Sequence, residues 1–467
     1  MDHPSPTPTN APARSRNSGG DQRTASNGRH PGPGSGPAGE SSVTISSSRS
    51  VSLERRLLAR MLRHIGSPPV SIVLWDGSEV SASDAAPEFR VSIADRMTLW
   101  RVACDPLAQF GEGYSRGAIQ VDGDFVEFLR MMMYPLAGPR FGVRRRARNA
   151  FRWHGPKGMT LAGSRENIYR HYDIGNPFYK LWLDERMLYT CAYFREIEMS
   201  LEDAQIAKMD HICRKLQLKP GETVIEAGCG WGGFALHMAA HYGVTVRAFN
   251  ISREQILYAR ESARLAGLED RVEFVEADWR EITGQCDAFV SVGMLEHVGI
   301  EHFRRLGKVI DRCLAPEGRG LIHSIGRNYP EPLNPWIERH IFPGAEPPAL
   351  SEMMDIFEHR NFSVLDLENI RLHYAVTLEH WLARFDENVD EVRDMFDEPF
   401  VRMWRLYLAS SMVAFECGLL QLFQVVFAPG RSNNIPWTRD YMYSGDQTKE
   451  FGAVWRGRNG KHSRDAM

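Results

Sequence analysis

The sequence predicts an α/β protein built around a doubly wound parallel sheet, preceded by a small α+β region and a polar tail. Three observations carry this expectation. After Pro220-Gly221, short β-branched runs alternate with amphipathic stretches of helical period; the first of those runs ends in a glycine cluster; and residues 1–48 contain no Phe, Trp or Tyr.

Taken in order, the Pro-, Ser- and Gly-rich tail over 1–48 has too little apolar surface to offset its ordering entropy and is expected to be disordered. A short helix should begin near Leu53, followed by strands in SIVLWDG (71–77) and FRVSI (89–93). The stretch LAQFGEGYSRGAIQVDGDFVEFLRMMM reads as a turn-rich segment leading into a helix, which closes a small domain over 49–138. Residues 139–164 form a basic linker, with six arginines and one lysine among Phe and Trp between Pro139 and Lys157. That run is either a solvated connection or a patch for anionic headgroups. The large sheet occupies 165–467, with strands at 223–228, 244–249, 272–277, 287–293 and 320–326. Helices are expected at Arg253–Ala266 and Phe303–Leu314 between them.

Composition narrows the class. A formal net charge of −3 gives no global attraction to nucleic acid. Seven cysteines, an odd number without a C-x-x-C pair, argue for a reducing, cytoplasmic setting and against structural zinc. The N-terminus shows no signal-peptide core, and the apolar stretch Trp404–Phe427 is interrupted by Arg405, Glu416, Gln421 and Gln424, which makes it a core helix and strand rather than a membrane span.

The first strand of the large sheet runs through Glu226 into Gly228-Cys229-Gly230-Trp231-Gly232-Gly233. Glycines there allow a tight turn and close approach of backbone to a ligand. The G-x-G-x-x-G pattern alone is weak, and a dinucleotide enzyme expects an acidic residue after the second strand, where this chain reads Phe249-Asn250-Ile251-Ser252. An acidic residue within the first strand (Glu226) and Asp278-Trp279 after the third fit a methyl donor better, with a carboxylate for the exocyclic amine beside a stacking ring; the plain alternative makes Trp279 a core residue.

Four segments make the match specific: HYDIGNPFYKLWLDERMLYTCAYF (171–194), EAGCGWGG (226–233), SVGMLEHVG (291–299) and LIHSIG (321–326). Over about 165–430 the chain resembles the cyclopropane-fatty-acyl-phospholipid synthase family, which includes mycolic acid cyclopropane synthases, and its small domain looks like that of the phospholipid-acting bacterial members. The resemblance implies a Rossmann-like class I methyltransferase sheet that uses S-adenosylmethionine. It places Tyr189, Thr190, Gly228 to Gly232, the segment Asn250 to Gln255 with Ser252, and Trp279 at the cofactor. Cys191, Glu296, His323, the backbone of Ile325, and Tyr374 match the positions that hold a bicarbonate ion. Asn250 stands where many members have Thr, and Ser411 aligns with a Cys of some members, so no thiol nucleophile is available there.

The implied chemistry is attack of a cis double bond of an unsaturated phospholipid acyl chain on the donor methyl, giving a carbocation. Bicarbonate would take the proton whose loss closes a cyclopropane ring, with positioning supplying much of the rate. Strands four and five should be neighbours, so Glu296 and His323 can converge. His297 and His302 have no familiar metal spacing and read as structural or surface residues, while Tyr172, Phe178, Tyr179, Trp182, Tyr193 and Phe194 read as a mixture of core and acyl-channel lining. The alternatives are a methyl or methylene branch from the same cation, an amine N-methyltransferase, and a non-enzymatic donor-binding lipid sensor. The resemblance also suggests a homodimer working peripherally on the inner face of the membrane.

Overall fold

The computed structural model describes residues 52–138 and 174–444. The expected tail, the basic linker and Tyr172 lie outside the described residues.

The N-terminal part opens with α1 (Leu53–His64), capped by the Ser52 hydroxyl, and forms a four-stranded sheet from β1 (Val70–Val73), β2 (Glu79–Ser81), β3 (Phe89–Ile93) and β4 (Ile119–Asp122), in the order β2-β1-β3-β4. Between β3 and β4 lie α2 (Arg96–Cys104) and α3 (Pro106–Ser115); α4 (Phe125–Ala137) follows β4. The reading of 107–115 as turns is corrected here, because LAQFGEGYS is helical. Its two glycines, which suggested a turn, are spacers: a Cβ at Gly111 would lie 2.6 Å from the Trp336 ring, and one at Gly113 would lie 2.6 Å from Ile119. Asp105 caps the helix and Pro106 starts it, which offsets the poor helical propensity of glycine.

The large sheet has seven strands: β5 (Thr223–Ala227), β6 (Thr245–Asn250), β7 (Val272–Glu276), β8 (Cys286–Val292), β9 (Leu314–Gly326), β10 (Phe362–Asn369) and β11 (Gln421–Pro429). Their order is β10-β11-β9-β8-β5-β6-β7. The five strands expected from the sequence pair in parallel, and β11 and β10 extend the β9 edge in antiparallel fashion. Helices α5 (Leu201–Lys215), α6 (Gly233–Tyr242), α7 (Arg253–Ala266) and α8 (Phe303–Cys313) cover the sheet.

Alternation along the strands explains why both faces are covered. Val224, Val290, Leu321 and Val426 join the core under α5, α6 and α7, while their neighbours Ile225, Phe289, Ile322 and Val425 join the core under α8.

Three further helices position the site: α9 (Pro335–His340), α10 (Arg371–Glu387) and α11 (Glu398–Glu416). The α11 helix anchors the N-terminal part. Arg402 donates to the carbonyls of Tyr114 and Ile119, and Arg130 makes a two-pronged pair with Glu416 at 2.8 and 2.7 Å. No helix among the described residues is long and apolar enough to cross a membrane, and Trp404 and Phe427 sit in the core, as the sequence suggested.

Candidate active site

Strand register brings the key residues together. Val292, the last residue of β8, pairs with His323 on β9, so the turn that follows β8 rises beside His323. That turn holds Gly293, whose N–H donates to the His323 carbonyl, and Glu296. Here the strands present their carboxyl ends, where an open parallel sheet receives ligands.

A cleft is lined by Tyr189, Thr190, Cys191, Glu296, His323, Ile325 and Tyr374, together with Gly293, His297 and Leu422. A cover segment supplies Leu333, Phe342, Ala345 and Pro347. All five residues expected at the anion therefore share one cleft. His297, set aside from the sequence as structural or surface, also lines it; its burial brings its pKa down to about 4, leaving it a neutral wall. The cover residues carried no sequence signal, because only the fold brings 333–347 over the strand ends.

Glu296 is buried; its Oε1 accepts from the Ile325 backbone N–H at 2.6 Å, while Oε2 has no hydrogen-bond partner. Burial pushes its pKa up to about 7. The Ile325 N–H is thus already engaged by Glu296. Burial holds His323 well below its ordinary pKa, and the Lys208 and Lys215 charges push it in the same direction. The Cys191 thiol is fully buried, donates to the Ala192 carbonyl at 3.1 Å, and is raised far above its ordinary pKa by burial. It is no nucleophile in this state. Tyr374 stacks on Phe415, their ring centres 4.6 Å apart.

The glycine turn lies alongside. A Cβ on Gly228 would come 2.8 Å from Met294, and one on Gly293 would come 3.1 Å from Thr190. Gly232 has φ of +86° and opens α6. Glu226 is buried, its Oε2 lacks a partner, and burial raises its pKa to about 8, opposed by Lys208. Cys229 is buried, and the Trp231 indole N–H donates to Asn176. Asn250 donates to the Gly230 carbonyl at 3.1 Å and to Gln255 at 2.7 Å, and accepts from the Ser252 N–H, bracing the turn against the loop after β6.

Thr190 accepts from buried Lys208 at 2.9 Å, and the Tyr189 hydroxyl bonds that of Tyr407 at 2.8 Å. Asp278 is buried and paired with Arg280, whose guanidinium lies 4.7 Å from the centre of the Trp279 ring. Trp279 packs into the core under α8, so the plain reading of that ring holds for its burial. Phe178, Tyr179 and Trp182 are fully buried in an aromatic cluster with Trp381 and Trp404; none of the three lines the cleft.

A family profile described as mycolic acid cyclopropane synthetase matches residues 160–425, which takes in the cleft and the glycine turn. The chain belongs to the mycolic acid cyclopropane synthetase family. A domain family of unknown function matches 57–136. A probable fatty acid methyltransferase of Pseudomonas putida is 33% identical over 387 residues, 80% of this chain and 96% of that protein. The cyclopropane-fatty-acyl-phospholipid synthase of Escherichia coli K12 is 41% identical over 266 residues, 57% of this chain and 68% of that protein. Among solved structures, the cyclopropane synthase MmaA2 from Mycobacterium tuberculosis superposes with a TM-score of 0.54 at 28% identity, over 56% of this chain and 98% of its own. The mycolic acid cyclopropane synthetase family comprises S-adenosylmethionine-dependent methyltransferases, and the seven-stranded sheet is the class I methyltransferase sheet.

Proposed function

We propose that this protein adds one carbon from S-adenosylmethionine to the cis double bond of unsaturated phospholipid acyl chains and closes a cyclopropane ring. The observation that carries the reading is the buried Glu296 carboxyl, aimed with one unpartnered oxygen into a largely apolar cleft shared with His323. Such a group costs stability unless a polar ligand completes it.

S-adenosylmethionine supplies the electrophilic methyl group, and bicarbonate supplies the base that an alkene-derived cation needs. The residues fit both. Glu226, the turn Gly228 to Gly232, Asn250, Ser252, Gln255, Asp278 and Trp279 would hold the donor, together with Tyr189 and Thr190. Glu296 and His323 would hold the anion by hydrogen bonds, with Tyr374 and the Cys191-Ala192 turn completing the enclosure. The apolar wall from Leu333, Phe342, Leu422 and Ile325 receives the acyl chain and keeps water from the cation.

A second reading has its own support. The relative that covers 80% of this chain is named a probable fatty acid methyltransferase, which supports loss of a different proton from the same cation, leaving a methylene group or a methyl-branched alkene. In both readings the protein works as a homodimer on the cytoplasmic face of the membrane, reaching the lipid from the surface.

The test incubates purified full-length protein with isotopically labelled methyl donor and liposomes of cis-monounsaturated phospholipid. Label in the released acyl chains, identified by gas chromatography as ring or branch, is the expected result. Label confined to headgroup amines, or none in lipid, would overturn it.

A further inference from the structure

Beyond the cleft, an uninterrupted polar row crosses the interior of the large sheet. Glu368 on β10 pairs in register with Gln424 on β11, and Gln424 in turn pairs with His323 on β9. Directly opposed residues present their side chains on the same face, so the three stand in line. Lys215, in the last turn of α5, packs over the row. Its ammonium group lies 2.5 Å from Glu368 Oε2 and 2.8 Å from Gln424 Oε1, and Gln424 Nε2 lies 3.1 Å from His323 Nδ1. His211, one turn earlier in α5, bonds the same Glu368 oxygen at 2.8 Å. Lys215 and Gln424 are buried, so their polar atoms must find their partners within the protein.

The order of donors along this row admits one solution. An ammonium group has hydrogens only to give, so the Gln424 oxygen must face Lys215 and its amide nitrogen must face His323. An amide nitrogen also only donates, so His323 Nδ1 must accept. A neutral imidazole with a lone pair on Nδ1 carries its proton on Nε2.

We infer that Lys215 and Gln424 are positioning residues that lock His323 as the Nε2–H tautomer, giving the cleft a fixed hydrogen-bond donor. The inference rests on the proposed function for its purpose, since an oxygen anion in the cleft needs a donor at that point. It also excludes His323 as the base, because the ring cannot take a proton on Nδ1 without confronting the Gln424 amide hydrogens. Charged and titratable groups facing His323 are Lys215, Lys208 and Glu368 from α5 and β10, and Cys191, Glu296, His297 and Tyr374 around the cleft.

The test uses full-length protein labelled with 15N-histidine, with the His323 resonance assigned by its loss in His323→Gln. Expected for the native protein is a neutral ring protonated on Nε2 between about pH 6 and 8, where a free histidine titrates. Gln424→Glu places an acceptor beside Nδ1 and should move the proton there. Its turnover should fall roughly 10- to 100-fold at the upper end of that range and partly recover on acidification, as the doubly protonated ring regains an Nε2–H. Gln424→Met, which removes the donor without adding an acceptor, should yield a mixture of tautomers. An Nδ1–H ring in the native protein, or Gln424→Glu retaining a neutral Nε2–H ring and full turnover, would overturn the inference. The tautomer is read without turnover: the expected shift in a protein that methylates no lipid would uphold the lock while refuting the proposed function.

Discussion

The Glu296 carboxylate and the Ile325 backbone N–H meet at 2.6 Å, joining the turn after β8 to the end of β9. One carboxyl oxygen is thereby fixed by the main chain, and the other is left facing the cleft. The geometry separates two effects of changing this residue. Glu296→Gln keeps the shape and can still accept from Ile325, but it cannot carry charge or share a proton with an anion. Turnover should fall by about 100-fold or more, while affinity for S-adenosylmethionine, measured by calorimetry, stays within about threefold.

The same carboxyl should be visible in stability. Its folded pKa, about 7, exceeds its ordinary value of 4.5. The folded state therefore holds the proton more tightly, and the contribution is full below about pH 4.5 and is lost as pH rises towards 7. Urea melts of native protein should lose up to about 3 kcal/mol across that window relative to Glu296→Gln, and the two slopes should converge above it. Glu226, raised in the same direction, is present in both proteins and cancels. Parallel curves would show that Glu296 is not buried as described.

Gly232 tests the proposed donor turn. Its φ of +86° suits glycine, and a Cβ there would lie 2.6 Å from Phe274 and 2.8 Å from Ala259. Gly232→Ala should cost about 2 to 5 kcal/mol in stability and weaken donor binding at least tenfold. Thermal melts with and without S-adenosylmethionine measure both.

Cys191 serves as a control for nucleophilic chemistry. Its thiol is buried, raised in pKa and turned towards the Ala192 carbonyl. Cys191→Ala should retain turnover within about tenfold, and iodoacetamide should leave Cys191 of the native protein unmodified, as mass spectrometry of the digested protein would report. Rapid alkylation would contradict the buried placement.

Much of this was legible in the chain itself, for identifiable reasons. Strands β5 to β9 announce themselves by β-branched runs between helical periods, and helix α7 has the expected limits, Arg253–Ala266, because Ser252 caps one end and Gly267 closes the other. Cys191, Glu296, His323, Ile325 and Tyr374 stand out by motif resemblance and share one cleft, in which Glu296, His323 and Ile325 meet because β8 and β9 are neighbours. Other features depend on partners remote in sequence. The helix containing Gly111 and Gly113 looked like a turn because nothing nearby discloses that Trp336 and Ile119 need the room. Gln424 read only as an interruption in an apolar run, since its meaning depends on Lys215, more than two hundred residues away.

The seating of Trp336 against Gly111 has a consequence for how such proteins can be recombined. Arg339 and His340 clasp Glu112 on the same helix, so the stretch roofing the cleft takes its footing from the N-terminal sheet and its helices. Grafting the methyltransferase sheet onto a foreign N-terminal module would transplant the reactive groups but leave the roof without its foundation. Chimeras should therefore exchange α3 and residues 331–349 together.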